Sequence, residues 1–192
     1  MPTLTVIIGS TRPGRAGQPI GAWFAEHARA HGGFDVEVAD LAEIGLPLLD
    51  EPSHPRLEQY TNQHTKDWSA RIDRADAIVF VTPEYNYGYP ATIKNAIDYL
   101  HREWRDKPAG FVSYGGVAAG TRAVQQLKQV VTTLRMVPVF DSVNIPFHTQ
   151  LINDGRFQAN EVLEQAASAM LDELLRVDGA LRPLRAPAAA VV

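Results

Sequence analysis

Apolar and polar positions follow two rhythms along this chain, and the switches between them mark its elements. Unbroken apolar runs at Leu4-Thr5-Val6-Ile7-Ile8, Ala77-Ile78-Val79-Phe80-Val81 and Ala109-Gly110-Phe111-Val112 predict strands buried on both faces, as parallel strands between helices are. Phe34-Asp35-Val36-Glu37-Val38-Ala39 alternates and predicts a further strand. Met136-Val137-Pro138-Val139 predicts the last, continuing irregularly through Val143. Elsewhere apolar residues recur three or four apart, the stripe of an amphipathic helix. One such set is Ile20, Trp23, Phe24 and Ala28, closed by Gly32-Gly33, and another is Leu57, Tyr60, His64, Trp68 and Ile72. The remaining sets are Ile93, Ala96, Ile97, Leu100 and Trp104, then Val124, Leu127, Val130, Val131 and Leu134, then Leu163, Ala166, Met170, Leu174 and Val177. Residues 41–55 and 144–157 read as loops, and the stretch 182–192, which lacks periodicity, as a mobile tail.

Strands alternating with helices predict an α/β fold, a parallel sheet covered on both faces. Right-handed crossovers then favour a flavodoxin-like three-layer sandwich, five strands in the order 2-1-3-4-5. No repeat, linker or second composition regime interrupts the chain, so one domain is expected over residues 1–181. In that order the first, third and fourth strands are neighbours. The loops that follow them meet at the carboxyl edge, where open α/β sheets bind ligands.

Those three loops are the candidate chemistry. Gly9-Ser10-Thr11-Arg12-Pro13-Gly14-Arg15-Ala16-Gly17-Gln18-Pro19 links a strand to a helix, an arrangement that suits a phosphate. The helix start presents unpaired N–H groups and partial positive charge, the hydroxyls add donors, and Arg12 and Arg15 add charge. The loop has no lysine, which excludes a nucleoside-triphosphatase loop, and it fails the Gly-x-Gly-x-x-Gly dinucleotide pattern. A mononucleotide phosphate remains, against the alternative of a capped turn with solvated arginines. In the second loop, Thr82-Pro83-Glu84-Tyr85-Asn86-Tyr87-Gly88-Tyr89-Pro90, two prolines and a glycine hold three tyrosines. That composition suits a flat aromatic ligand, against an ordinary turn whose tyrosines only pack. The third, Ser113-Tyr114-Gly115-Gly116-Val117-Ala118-Ala119-Gly120, allows close backbone approach to a ligand.

Composition narrows the classes. A net charge of -4 gives no nucleic-acid surface, and the absence of cysteine removes disulfides, iron–sulfur clusters and thiol nucleophiles. No apolar run approaches the roughly 20 residues of a membrane span. The first strand begins almost at once, so a cytoplasmic protein is expected. His64 lies on an apolar stripe and reads as a packed histidine, and His148 has no partner at catalytic spacing. No Ser/His/Asp or metal constellation is present, so no side chain is assigned a catalytic role.

Together, Gly9-Ser10-Thr11-Arg12-Pro13-Gly14-Arg15, Pro83-Glu84-Tyr85-Asn86-Tyr87 with Lys94-Asn95-Ala96-Ile97-Asp98, and Tyr114-Gly115-Gly116 resemble the NADPH-dependent FMN reductase family, which includes chromate and quinone reductases and azoreductases. The resemblance implies that Ser10, Arg12 and the backbone after them bind the FMN phosphate. It also implies that Pro83, Glu84, Tyr85, Asn86 and Tyr87 contact the isoalloxazine, with Ser113, Tyr114, Gly115 and Gly116 on its other side. Many members have Ser and Asn where this chain has Arg15 and Gly17. The charge of Arg15, or the N–H groups of Ala16, Gly17 and Gln18, would replace those contacts. The implied activity is hydride transfer from NADPH, or NADH, to FMN, then two electrons to a quinone, azo compound, free flavin or metal oxyanion, in a ping-pong scheme. A flavodoxin-type one-electron carrier and a flavin-bound redox sensor acting through a protein partner are the alternatives. A homodimer or homotetramer is implied, with Arg102 and Trp104 as candidate subunit contacts and a core position the alternative for Trp104.

Overall fold

The computed structural model describes residues 1–185. Its sheet contains β1 (Thr3–Ile8), β2 (Asp35–Asp40), β3 (Ala77–Pro83), β4 (Pro108–Tyr114) and β5 (Val137–Pro138), parallel and in the order β2-β1-β3-β4-β5. This is the predicted flavodoxin-like order. Every residue of β3 and β4 is buried, which is why those runs show no polar alternation.

Successive strand side chains point to opposite faces, so the sheet divides two cores. Leu4, Val6, Val79, Val81 and Val112 pack with Ile20, Phe24 and Ala28 of α1 (Gly17–His31) and with Met170, Leu171 and Leu174 of the closing helix. Ile7, Ile78, Phe80 and Phe111 face α3 (Gln63–Arg74), α4 (Ala91–Asp98) and α5 (Thr121–Thr133) through Trp68, Ile72, Ile93, Ile97, Leu127 and Val131. A single turn, α2 (Leu41–Ile44), follows β2. The closing helix, α6 (Glu161–Arg185), is fastened to α1 by polar contacts spaced one turn apart. Trp23 Nε1 donates to Glu164 at 2.8 Å, His27 meets Glu164 and Ser168, and His31 meets Asp172 at 3.0 Å.

Several expectations need correction. The helix expected from Leu57 begins at Gln63, because Glu51 accepts the N–H groups of Thr61 and Asn62 and holds that stretch extended, while Leu57 sits exposed in a 3-10 turn, Pro55–Leu57. The last strand divides at Pro138, which has no N–H to continue a ladder. β5 pairs with the start of β4 and β6 (Val143–Ile145) with its end, while Phe140 between them is 90% exposed. The expected loop 144–157 also contains a small hairpin, β7 (Ile152–Asn153) with β8 (Arg156–Phe157), whose Phe157 packs on Trp23. Part of the expected tail is helical: residues 182–185 continue α6, because Arg182 and Arg185 both pair with buried Asp178. The rest of that expectation, 186–192, lies outside the described residues.

Trp104 does not continue the α4 stripe. It lies in a 3-10 turn (Arg102–Trp104) yet is wholly buried, edge-on to Trp68 with centroids 6.1 Å apart and donating to the Ile97 carbonyl at 3.1 Å. A subunit contact is therefore excluded for Trp104, and Arg102 is half exposed and paired within its own chain to Glu58 and Asp73. His64, expected on the buried stripe, is instead partly exposed, hydrogen-bonded to Asp50 at 2.9 Å and edge-on to Tyr99.

Lys107, just before β4, is 4% exposed and donates to the carbonyls of Ile72 and Asp73 at the end of α3, at 2.5 and 3.1 Å. Burial lowers its pKa from 10.5 to about 8, against the pull of Asp73. Between those values the unfolded chain binds more protons, so the lysine's contribution to stability rises with pH. The unfolding free energy of the wild type relative to Lys107→Met is expected to be flat below pH 7 and to climb toward pH 10.5 by on the order of 3 kcal/mol, measured by urea titration. Trp104→Ala is expected to cost about 3–5 kcal/mol in the same assay.

Candidate functional site

Three loops leave the carboxyl ends of β1, β3 and β4. The first is drawn tightly onto its neighbours: Gly9 N–H donates to Val81 O at 3.0 Å, and Thr92 Oγ1 donates to Gly9 O at 2.5 Å. A Cβ at Gly9 would lie 2.3 Å from Ile93 Cδ1, so only glycine allows that approach. Ser10 is buried, its Oγ 2.6 Å from the Tyr85 hydroxyl. Arg15 forks onto Asp40 at the end of β2, at 2.5 and 2.7 Å, and also donates to Ser10 O at 2.7 Å. Its charge is thus compensated inside the protein. Arg12 is exposed and belongs to no ion pair among the described residues. α1 then begins at Gly17 with Ala16 as its cap and no side chain bonded to its first turn. The N–H groups of that turn are thus left without a side-chain partner, as is usual for helix starts that take an anion.

The second loop is a tight hairpin. Tyr85 and Gly88 exchange N–H···O bonds of 2.8 and 3.0 Å, and the central pair, Asn86 and Tyr87, adopts φ of 50° and 72°. Positive φ at both positions is what a two-residue hairpin turn of this twist requires. Glu84, nearly buried, forms an ion pair with Arg122 and accepts the Arg122 N–H at 3.2 Å. The Arg122 guanidinium in turn lies 3.8 Å above the Tyr87 ring. The three tyrosines therefore do not line one slot. Tyr85 reaches back to the first loop, Tyr87 is covered by Arg122, and Tyr89 faces a separate hollow beside α4.

The third loop is held from behind by residues 145–148. Gly115 N–H donates to Ile145 O at 3.2 Å, while Phe147 N and His148 N donate to the carbonyls of Gly116 and Gly115. His148 Nδ1 lies 3.0 Å from Gly115 O and its ring is edge-on to Tyr114, centroids 5.1 Å apart. A carbonyl only accepts, so Nδ1 carries the hydrogen in this contact. Ser113 lies behind the loop, its hydroxyl donating to Asn144 Oδ1 at 3.1 Å.

A cavity of about 230 Å³ lies where the loops meet, lined by Ser10, Arg12, Arg15, Ala16, Pro83, Glu84, Tyr85, Tyr114, Gly115, Gly116 and His148. Of the predicted residues, Gly17, Gln18, Asn86, Tyr87 and Ser113 do not form its wall. His148 was missed by sequence reasoning. Nothing in its spacing relates it to the other loops; only the path of residues 145–148 along β4 brings it there. A larger cavity, about 570 Å³, opens at the opposite edge of the sheet between Asp73, Arg102, Asp106, Lys107 and Arg185. Its charges are largely paired with one another, so it is a structural network and not the ligand edge. Among the described residues no cluster of His, Asp and Glu could hold a metal, and no helix is long and apolar enough to cross a membrane.

Residues 2–150 match the family model for NADPH-dependent FMN reductase. An NAD(P)H-dependent FMN reductase of Schizosaccharomyces pombe is 43% identical over 149 residues, 76% of this chain and 74% of that protein. An FMN-dependent NADPH-azoreductase of Staphylococcus saprophyticus is 26% identical over 175 residues, 88% of this chain and 92% of its own. Among solved structures, the flavoenzyme NAD(P)H:(acceptor) oxidoreductase FerB from Paracoccus denitrificans superposes with a TM-score of 0.75 at 25% identity, over 92% of this chain and 98% of its own. A match of this extent, on the sheet order just described, is decisive: the chain belongs to the NADPH-dependent FMN reductase family, oxidoreductases whose cofactors are FMN and NAD(P)H.

Proposed function

We propose that this chain is a cytoplasmic FMN-dependent NAD(P)H oxidoreductase, one domain per subunit in a homodimer or homotetramer, that reduces a small acceptor in a ping-pong sequence. Quinones, azo compounds, free flavins and metal oxyanions are the acceptor classes, with NADPH the expected donor and NADH the alternative. The observation that carries this reading is the meeting of three loops on one cavity: the β1–α1 loop up to the Ala16 cap of α1, a tyrosine hairpin and a Gly-Gly loop. When bound, FMN supplies the hydride and electron chemistry, so the protein needs no acid, base or nucleophile of its own.

The residues present fit that cofactor. For the phosphate they provide the first-turn N–H groups of α1, the Ser10 hydroxyl and the unpaired charge of Arg12. Arg15 acts differently from a direct ligand: held on Asp40, it fixes the Ser10 carbonyl and shapes the loop. For the ring system, Pro83, Glu84 and Tyr85 supply one wall and Gly115 and Gly116 the other. The Glu84–Arg122 pair holds the hairpin against α5, so the wall is set before a ligand arrives. His148, its Nδ1 held on the Gly115 carbonyl, lines the same space.

The deciding experiment adds FMN to the purified protein, removes the excess, and then adds NADPH under anaerobic conditions while absorbance is recorded. Retained FMN that is bleached by NADPH supports the reductase. Retained FMN untouched by NADPH and NADH overturns it in favour of a carrier or sensor. Arg12→Ala is expected to weaken FMN binding roughly ten-fold at low salt, less as salt screens the charge, and to leave riboflavin binding unchanged; fluorescence titration measures both.

A further inference from the structure

Tyr114 carries a buried hydroxyl that makes no well-formed hydrogen bond, although the Ser10 side chain lies near enough to act on it. The residue is 3% exposed, and its hydroxyl is fully buried with no hydrogen-bond partner among the described residues. Buried hydroxyls are normally paired, because desolvation without a partner is unfavourable. The polar groups near it already have other partners. Ser10 Oγ is bonded to Tyr85, and Arg15 is forked onto Asp40 and the Ser10 carbonyl.

The position of that oxygen is informative. A Cβ built on Gly17 would stand 2.7 Å from it and 3.6 Å from Ser10 Cβ. The hydroxyl is therefore packed against the first residue of α1, in the space a side chain at 17 would fill. The ring is held in place by the edge-on His148, itself bonded to Gly115. Burial raises the pKa of the phenol, against the opposing pull of Ser10, Arg15 and Arg12, so it keeps its proton and remains a donor.

We propose that the Tyr114 hydroxyl is a ligand of the FMN phosphate, donating to one of its oxygens beside the start of α1, and that Gly17 is glycine because it makes room for that hydroxyl. The inference rests on the FMN reading above and extends it. Tyr114 lines the same cavity as Ser10, Arg12 and Ala16, and its hydroxyl stands where a side chain at 17 would otherwise be.

Tyr114→Phe removes only the oxygen. For this variant the Kd for FMN, by fluorescence titration, is expected to rise about 10- to 100-fold, as for a lost hydrogen bond to a charged group, with the Kd for riboflavin, which lacks the phosphate, unchanged. The ligand-free variant is expected to melt about 2–4 °C higher, since an unpaired buried hydroxyl has gone. Gly17→Ala is expected to weaken FMN binding in the wild type and to add little in the Tyr114→Phe background. An unchanged FMN Kd, or equal losses for FMN and riboflavin, overturns the assignment and leaves the hydroxyl as a packing or water-bound group. A wild-type protein that binds neither flavin overturns the FMN reading itself, and the Tyr114 inference falls with it.

Discussion

The parallel ladder of β1, β3 and β4 is the constraint on which the rest depends. Because the strands are neighbours and run the same way, their three following loops must emerge at one edge. The loops are then bonded to one another and to the strands beside them. Gly9 donates to the end of β3, Ser10 meets Tyr85, and Gly115 and Gly116 are bracketed by residues 145–148. A ligand that enters therefore finds its contacts already positioned, and little ordering entropy is left to oppose binding.

Charge at that edge is arranged by subtraction. Three arginines stand near the cavity, but two are neutralised by carboxylates of the same chain, Arg15 by Asp40 and Arg122 by Glu84. Their role is to stiffen loops that carry few regular hydrogen bonds. Arg12 keeps its charge available, and at the start of α1 the helix adds partial positive charge without a counterion to displace. A site built this way suits a phosphate, as proposed, without crowding cations that would compete for each other's partners.

Stability is handled elsewhere. At the opposite edge, Lys107 caps the end of α3, and Asp178 gathers Arg182 and Arg185 so that α6 runs on past its apolar stripe. On the α1 side, Trp23, His27 and His31 tie α6 down through Glu164, Ser168 and Asp172. These contacts lie away from the carboxyl edge, so the site's unpaired N–H groups and the orphan hydroxyl of Tyr114 persist within a well-packed frame.

Much of this was legible from local pattern alone. Strand runs at 4–8, 77–81 and 109–112, helical stripes, and glycine-bearing loops after each of those strands are properties of short segments, and short-range sterics and burial enforce them wherever they occur. The strand order followed from handedness, which is equally local in origin. Tertiary structure alone decided what depends on partners far apart in the chain. Arg15, in sequence one candidate for the phosphate, is forked onto Asp40, which strand pairing brings alongside. Trp104 continued a helical stripe in the sequence but reaches the core from a 3-10 turn. The tyrosines of the hairpin separated once Arg122 and Ser10 each took one. His148 joined the cavity only because β6 runs beside β4. Periodicity records which face of an element is buried; it carries no record of which distant side chain will satisfy a given polar group, and at this site that pairing determines each residue's role.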